Sequence, residues 1–398
     1  MDAGPWLAVP PRGYGGLENV VATLTSELRR RGHSLVLATV GDSDLPVDEM
    51  VARFSTGQFE RLAGSYPSVV GAAHAHAQTV LETINRHASA GEPFDVVHTH
   101  LEVVGPAVLA ADGRDRPPVL ATLHWDLHRN ADFYATFDGR RRVFFAGVSA
   151  SQLARAPARL RQQTLGYVPL SVPPSKHDAP ATRAERRQDV VVLGRITRVK
   201  GTAVAVRAAR AAGLPVLVAG PVAGQPDRAA LERALADPAA GMSDNPDTRY
   251  FLEEVAPLLD GENACWIGSV SGTAKDDLLR YARAAVFPID WEEPGGTAVC
   301  ESLAAGTPVV AMARGCLPSL IDPGLTGFLA DDESGVTEAL RRIDELDPDA
   351  CMASARRSFA PKSMAEAYEE LYVETVRRCL EAPALLGRRE TAPASSAG

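Results

Sequence analysis

The sequence predicts an α/β protein built from two Rossmann-like, doubly wound domains that face each other across a cleft. Three observations carry this expectation. The chain has 398 residues, enough for two domains that each bury a full core. From Val190 onward, short apolar runs alternate with helical segments in regular succession, the pattern of parallel strands joined by helical crossovers. Between the two halves, residues 173–187 (PPSKHDAPATRAERR) are proline-rich, polar and aperiodic, as a linker should be.

Composition narrows the class. Apolar residues make up 45% and charged residues 23%, ordinary values for a soluble globular protein. A net charge of −9 argues against broad nucleic-acid binding and leaves room for a local basic pocket. The five cysteines, Cys265, Cys300, Cys316, Cys351 and Cys379, lack CxxC spacing and read as reduced thiols of a cytoplasmic protein. No apolar run approaches the roughly 18 residues needed to span a bilayer. No basic-then-apolar leader opens the chain either.

The first domain is expected over residues 1–172. Residues 1–16 form a Pro/Gly-rich loop, then Leu17, Val20, Val21, Leu24 and Leu28 mark a helix by their i, i+3, i+4, i+7, i+11 spacing. Arg29, Arg30 and Arg31 suit its C-terminal dipole, and Gly32 ends it. Gly15 and Gly16 thus sit just before a helix N-terminus, where a phosphate or substrate is admitted. A doubly wound domain normally opens with a central strand leading into such a loop. Met1-Asp2-Ala3-Gly4 is too short and too polar for one, so the first strand of this domain is missing from the pattern. Either the start lies upstream, the preferred explanation, or another segment fills the gap.

Leu35 to Thr39 is a strand, a helix covers 75–90, and further strands run Phe94–His100, Val119–Leu123, Val143–Val148 and Val168–Val172. His98 and His100 share one strand face; with no third ligand evident, no metal site is expected. His124 follows Val119–Leu123 at its carboxyl end, the edge where open α/β sheets bind ligands, and is the catalytic candidate of this domain.

The second domain is expected over residues 188–360, with strands Val190–Leu193, Val216–Ala219, Cys265–Ile267, Ala285–Ile289, Val309–Met312 and Phe328–Ala330. Helices fall near 202–212, 227–237, 247–259, 274–284 and 297–305. No GxGxxG follows the first strand, which removes the main support for a dinucleotide site. Instead Arg195 and Lys200 project from a loop leading to a helix N-terminus. Arginine offers a planar fork to phosphate oxygens and lysine a point charge, and together they neutralise a diphosphate, including the charge that grows as it leaves.

A second element follows about 90 residues later. Pro294-Gly295-Gly296 turns out of a strand, and Thr297 is the expected N-cap of a helix through Ala305. The amides of Gly295, Gly296, Thr297 and Ala298 then favour an anion. Glu293 and Glu301 flank this turn; carboxylates repel phosphate and accept hydrogen bonds from hydroxyls. Phosphate donors and hydroxyl acceptors in one site suggest a sugar nucleotide. A last helix at 361–381, with Met364, Ala367, Tyr368 and Leu371 on one face, precedes a tail, 382–398, expected to be disordered.

Glu293-x7-Glu301 followed by AAGTPVV resembles the E-x7-E motif of retaining glycosyltransferases of family 4, which have the GT-B fold. Gly194-Arg195 to Lys200-Gly201 is similar to that family's GR-(x)4-KG motif, and Gly15-Gly16-Leu17-Glu18 to its GG(T/V/L)E loop. The resemblance covers the whole chain except the missing strand. It implies that the second domain holds most of the donor and that the last helix crosses back to the first domain. Arg195 and Lys200 then take the diphosphate, Glu301 the ribose, Glu293 the sugar hydroxyls, and backbone near Ile267 to Val270, Gly268 included, the base. The acceptor enters beside Gly15, Gly16 and His124. The implied reaction is a retaining, metal-independent sugar transfer from a nucleoside-diphosphate sugar, with UDP the expected nucleotide, to a small molecule.

One departure stands out. The family usually has E-P-F-G-L where this chain has Glu293-Pro294-Gly295-Gly296-Thr297, and loss of the Phe implies an unusual donor preference. That turn and the PPRGYGG loop at 10–16 are similar to an avilamycin-type actinobacterial subgroup, which implies a natural-product acceptor. Two alternatives stay open: a sugar-nucleotide 2-epimerase of GT-B fold, and a non-catalytic nucleotide-sugar-binding protein.

Overall fold

A computed structural model describes residues 1–13, 15–111, 116–173, 175–238 and 241–381. The tail from 382 onward lies outside the described residues. The first domain contains β1 (Val36–Thr39), β2 (Glu49–Ala52), β3 (Val97–Thr99), β4 (Val119–Thr122), β5 (Val143–Gly147) and β6 (Thr164–Tyr167). β1 pairs with β2, and β3-β4-β5-β6 form a second parallel group.

Met1–Ala3 fills the space between these groups. No regular strand forms there, but Asp2 bridges Ala38 on one side and Thr99 on the other, both in parallel. Asp2 N donates to His98 O at 2.8 Å and Ala3 N to Ala38 O at 2.9 Å. The segment judged too polar for a buried strand is therefore a buried stub. Its polarity is tolerated because the Asp2 carboxylate, 2% exposed, accepts from Thr99 Oγ1 at 2.6 Å, Gly4 N at 2.9 Å and His76 Nε2 at 2.8 Å. A buried carboxylate with this many donors escapes most of the penalty for leaving water.

Two other expectations shift. The last strand of this domain is β6, not Val168–Val172: Val168 N still reaches Gly147 O at 3.0 Å, but Pro169 has no N–H with which to extend the ladder. Val168 and Leu170 remain in the core beside Val20, Leu24 and Tyr368. The edge strand β2, half-exposed along Glu49–Ala52, has too little alternation to stand out in the sequence.

The second domain holds β7 (Val190–Leu193), β8 (Val216–Ala219), β9 (Ala264–Gly268), β10 (Ala284–Phe287), β11 (Val309–Met312) and β12 (Gly327–Ala330), all parallel in the order β12-β11-β10-β7-β8-β9. Its central strands are buried along nearly their whole length, as parallel strands covered by helices on both faces must be. Strand order reverses between β7 and β10, which makes the carboxyl ends of these two strands the natural ligand crevice. The helix expected at 247–259 is broken into an α-helical turn Pro246–Tyr250, a π-helical turn and a 3-10 turn ending at Leu258, with Pro257 lacking the N–H that a continuous helix would use.

The final helix, Pro361–Leu380, packs on the first domain. Arg31 binds Glu369 in a fork at 2.7 and 2.8 Å, Tyr368 OH meets Thr122 Oγ1 at 3.1 Å, and Tyr372 OH meets His98 Nδ1 at 2.8 Å. No helix among the described residues is long and apolar enough to cross a membrane.

Candidate functional site: a cleft between two sheets

The site is assembled where the carboxyl ends of β7 and β10 meet the glycine loop of the first domain. After β7 the chain passes Gly194 and Arg195 and reaches Lys200 and Gly201. Gly201 has φ 71°, and a Cβ there would collide with the Pro288 carbonyl just past β10. Only glycine permits this approach, and it brings Lys200 against the acidic corner. Lys200 Nζ lies 2.6 Å from Glu293 Oε2, and Trp291 Nε1 donates to the same oxygen at 2.8 Å. The ammonium also sits 5.4 Å from the Trp291 ring centre, within cation–π range.

Gly296, at φ 61°, caps the helix Thr297–Ala304; Thr297 is thus its first residue rather than its N-cap, and no side chain caps the end. The amides of Thr297 and Ala298 precede the first intrahelical bonds and have no partner within the helix, whereas Val299 N already donates to Gly296 O at 3.0 Å. On the same helix Glu301 Oε1 takes Lys275 Nζ at 2.6 Å. From the other side comes the helix Gly16–Arg30. A Cβ on Gly16 would stand 3.5 Å from Thr297 Oγ1, so two helix N-termini confront each other across the gap and both favour an anion. Ser271 Oγ donates to Arg12 O at 3.2 Å and ties the two domains at the rim.

The result is a cleft of about 260 Å³. Gly15, Gly16, His124, Arg195, Lys200, Glu293, Gly295, Gly296, Thr297, Ala298 and Glu301 all line it. Gly268 does not: it ends β9 at φ 78°, packed toward the Pro226 carbonyl, and its successors Ser269 and Val270 line the cleft instead. Sequence reasoning missed Lys275, Trp291 and Trp125, which also line it. Lys275 carried a usable signal, since it lies in the first turn of the helix Gly272–Tyr281 after β9, at the ligand-binding edge of the sheet.

His124 is held from behind. Its Nε2 lies 2.8 Å from His100 Nδ1, and burial pushes its pKa down to about 4, so the ring is neutral at physiological pH. His98 bonds Tyr372 OH through Nδ1 and Thr122 Oγ1 through Nε2. The nitrogens of the two strand histidines are thereby committed to hydrogen bonds. Among the described residues no group of three or more His, Cys, Asp or Glu is arranged to hold a metal. At the glycine loop, burial raises the Glu18 carboxyl to about 7.

Two facing Rossmann-like domains with an anion-favouring cleft at the switch point define a GT-B protein. Family models match in two overlapping pieces: Glycosyltransferase Family 4 matches residues 14–191, and Glycosyl transferases group 1 matches residues 175–360. The chain has the GT-B fold and is similar to glycosyltransferases of these two families along residues 14–360. It is 26% identical over 375 residues to a D-inositol 3-phosphate glycosyltransferase of Nocardioides sp., covering 84% of this chain and 78% of that one. In fold it is similar to AviGT4, a glycosyltransferase involved in avilamycin A biosynthesis, with TM-score 0.60, 22% identity and coverage of 94% and 97%. It is also similar to Anabaena HepE in complex with UDP and glucose, with TM-score 0.61, 15% identity and coverage of 90% and 96%.

Proposed function

We propose that this protein transfers a sugar from a nucleoside-diphosphate sugar, with UDP the expected nucleotide, to a hydroxyl of a small-molecule acceptor, retaining the anomeric configuration and needing no metal. The observation that carries this reading is the pairing of Lys200 with Glu293 and Lys275 with Glu301 in one cleft, beside the open amides of Thr297 and Ala298. Cations and amides are matched to a diphosphate, carboxylates to ribose and sugar hydroxyls. The HepE complex, with UDP and glucose, supports the donor class, and AviGT4 supports a natural-product acceptor.

In this scheme the bond from the anomeric carbon to the diphosphate breaks as the acceptor oxygen attacks from the same face. The acceptor proton passes to the departing phosphate oxygen. Arg195, Lys200 and the helix amides stabilise the negative charge that builds there, the role a divalent metal has in other transferases. Glu293 holds sugar hydroxyls, Glu301 the ribose, and His124 borders the reacting centre on the acceptor side. A cytoplasmic site of action fits a nucleotide-sugar donor.

The test is incubation with UDP-, GDP-, ADP- and dTDP-hexoses and glycosidic acceptors. The expected result is acceptor-dependent release of nucleoside diphosphate, with a product whose anomeric coupling matches the donor's. A C2-epimerised nucleotide sugar, or binding with no turnover in any combination, would overturn it.

A further inference from the structure

We infer that His100, a buried residue that does not line the cleft, fixes the tautomer of His124, so that His124 offers an unprotonated Nδ1 to the cleft as a hydrogen-bond acceptor. The inference rests on the transferase reading only for its catalytic consequence. The geometry itself follows from proton counting along a short buried chain.

His100 is 2% exposed. Its Nε2 stands 3.1 Å from the Met1 thioether sulfur, and its Nδ1 stands 2.8 Å from His124 Nε2. A thioether has no proton to give. A bare Nε2 would set lone pair against lone pair there, so His100 carries its proton on Nε2. Burial and the neighbouring imidazoles His98 and His124 hold the His100 pKa well below the ordinary value, and a neutral ring has one proton only. His100 Nδ1 is therefore an acceptor, and the bond between the rings is donated by His124 Nε2–H. His124, also neutral, then has a bare Nδ1.

His124 faces the cleft. A bare nitrogen there accepts from a hydroxyl of the bound sugar or of the acceptor, and it offers no proton to the departing phosphate. His100 is thus a positioning residue: it touches neither substrate nor nucleotide, and it decides whether the histidine in the cleft donates or accepts.

The experiment is nitrogen NMR of the full chain labelled with ¹⁵N-histidine, with His124 assigned by H124Q. The expected signature is a His124 Nδ1 resonating far downfield as a proton-free ring nitrogen and an Nε2 at the protonated position. A His124 protonated on Nδ1 overturns the inference, whether or not the protein transfers sugar. Conversely, absence of all transfer with the expected tautomer present would overturn the functional reading and leave this one standing. In the variants, His100→Leu should lower kcat about tenfold, the weight of one hydrogen bond to a reacting group, with donor KM within about twofold. His100→Gln, whose amide oxygen still accepts from Nε2–H, should restore most of the rate. If H100L leaves the His124 spectrum and kcat unchanged, the positioning role is refuted; if H100L fails to fold, the wild-type spectrum alone decides.

Discussion

Replacing Glu301 by alanine tests the donor site at its most specific point. The carboxylate is mostly buried, and its ion pair with Lys275 uses Oε1. If Glu301 takes a ribose hydroxyl, the substitution removes a charge-assisted hydrogen bond worth roughly 1.5–3 kcal/mol. At 1.4 kcal/mol per tenfold, that is a loss of roughly 10- to 150-fold in UDP affinity. The loss of negative charge also leaves Lys275, at 19% side-chain exposure, without its partner, which by itself should strengthen binding of any anion. The two effects separate when the ligand is varied. Calorimetric titration of wild type and Glu301→Ala with UDP, 2′-deoxy-UDP and 3′-deoxy-UDP closes a double-mutant cycle. Wild type should lose most of the affinity increment with one deoxy ligand, and the variant should no longer distinguish that ligand from UDP. An equal change on all three ligands, a gain through the freed Lys275 or a uniform loss, would show that Glu301 reads neither ribose hydroxyl, and the ribose assignment would fall.

Other perturbations reach the loops that shape the cleft. Glu18, whose folded carboxyl is raised from 4.5 to about 7 by burial, binds its proton more tightly in the folded chain than in the unfolded one. Stability therefore declines as pH rises from about 4.5 to 7, by on the order of 3 kcal/mol. Glu18→Gln should be the more stable protein at pH 8 and no better below about pH 4.5; urea melts at the two pH values check this, and an advantage confined to acid would contradict it. Gly295 lies where a Cβ would press on Leu170 and reach Val148 Cγ2 at 3.4 Å, both in the first domain. Gly295→Ala should destabilise by about 1–3 kcal/mol through overpacking and weaken UDP binding. Adding Leu170→Ala should recover part of both, read from thermal melts and titrations; purely additive losses would place the strain elsewhere.

Much of the architecture was legible because it is local. Period-3.6 spacing from Leu17 to Leu28 marked the first helix to within a residue or two, and apolar runs marked all six strands of the second sheet. The loops carrying Arg195, Lys200, Glu293 and Glu301 showed themselves by residue type and spacing, and all four side chains line one cleft. What escaped is long-range. Asp2 looked too polar to bury because its three hydrogen-bond donors include His76 and Thr99, far along the chain. Of the stretch Ile267 to Val270 expected at the ligand, Ser269 and Val270 line the cleft and Gly268 does not, because a strand's end was legible but not which way its backbone turned.

By itself the sequence determined the first helix, the six strands of the second sheet and which loops carry charge at their carboxyl ends, since these depend on residues a few positions apart. Only the tertiary structure decided who pairs with whom: Lys200 with Glu293 across 93 residues, Lys275 with Glu301 across 26, and His100 with His124 across 24. Those choices follow from the order of strands in each sheet, because the crossing from β7 to β10 sets the two charged loops side by side, and no local period records which strands become neighbours.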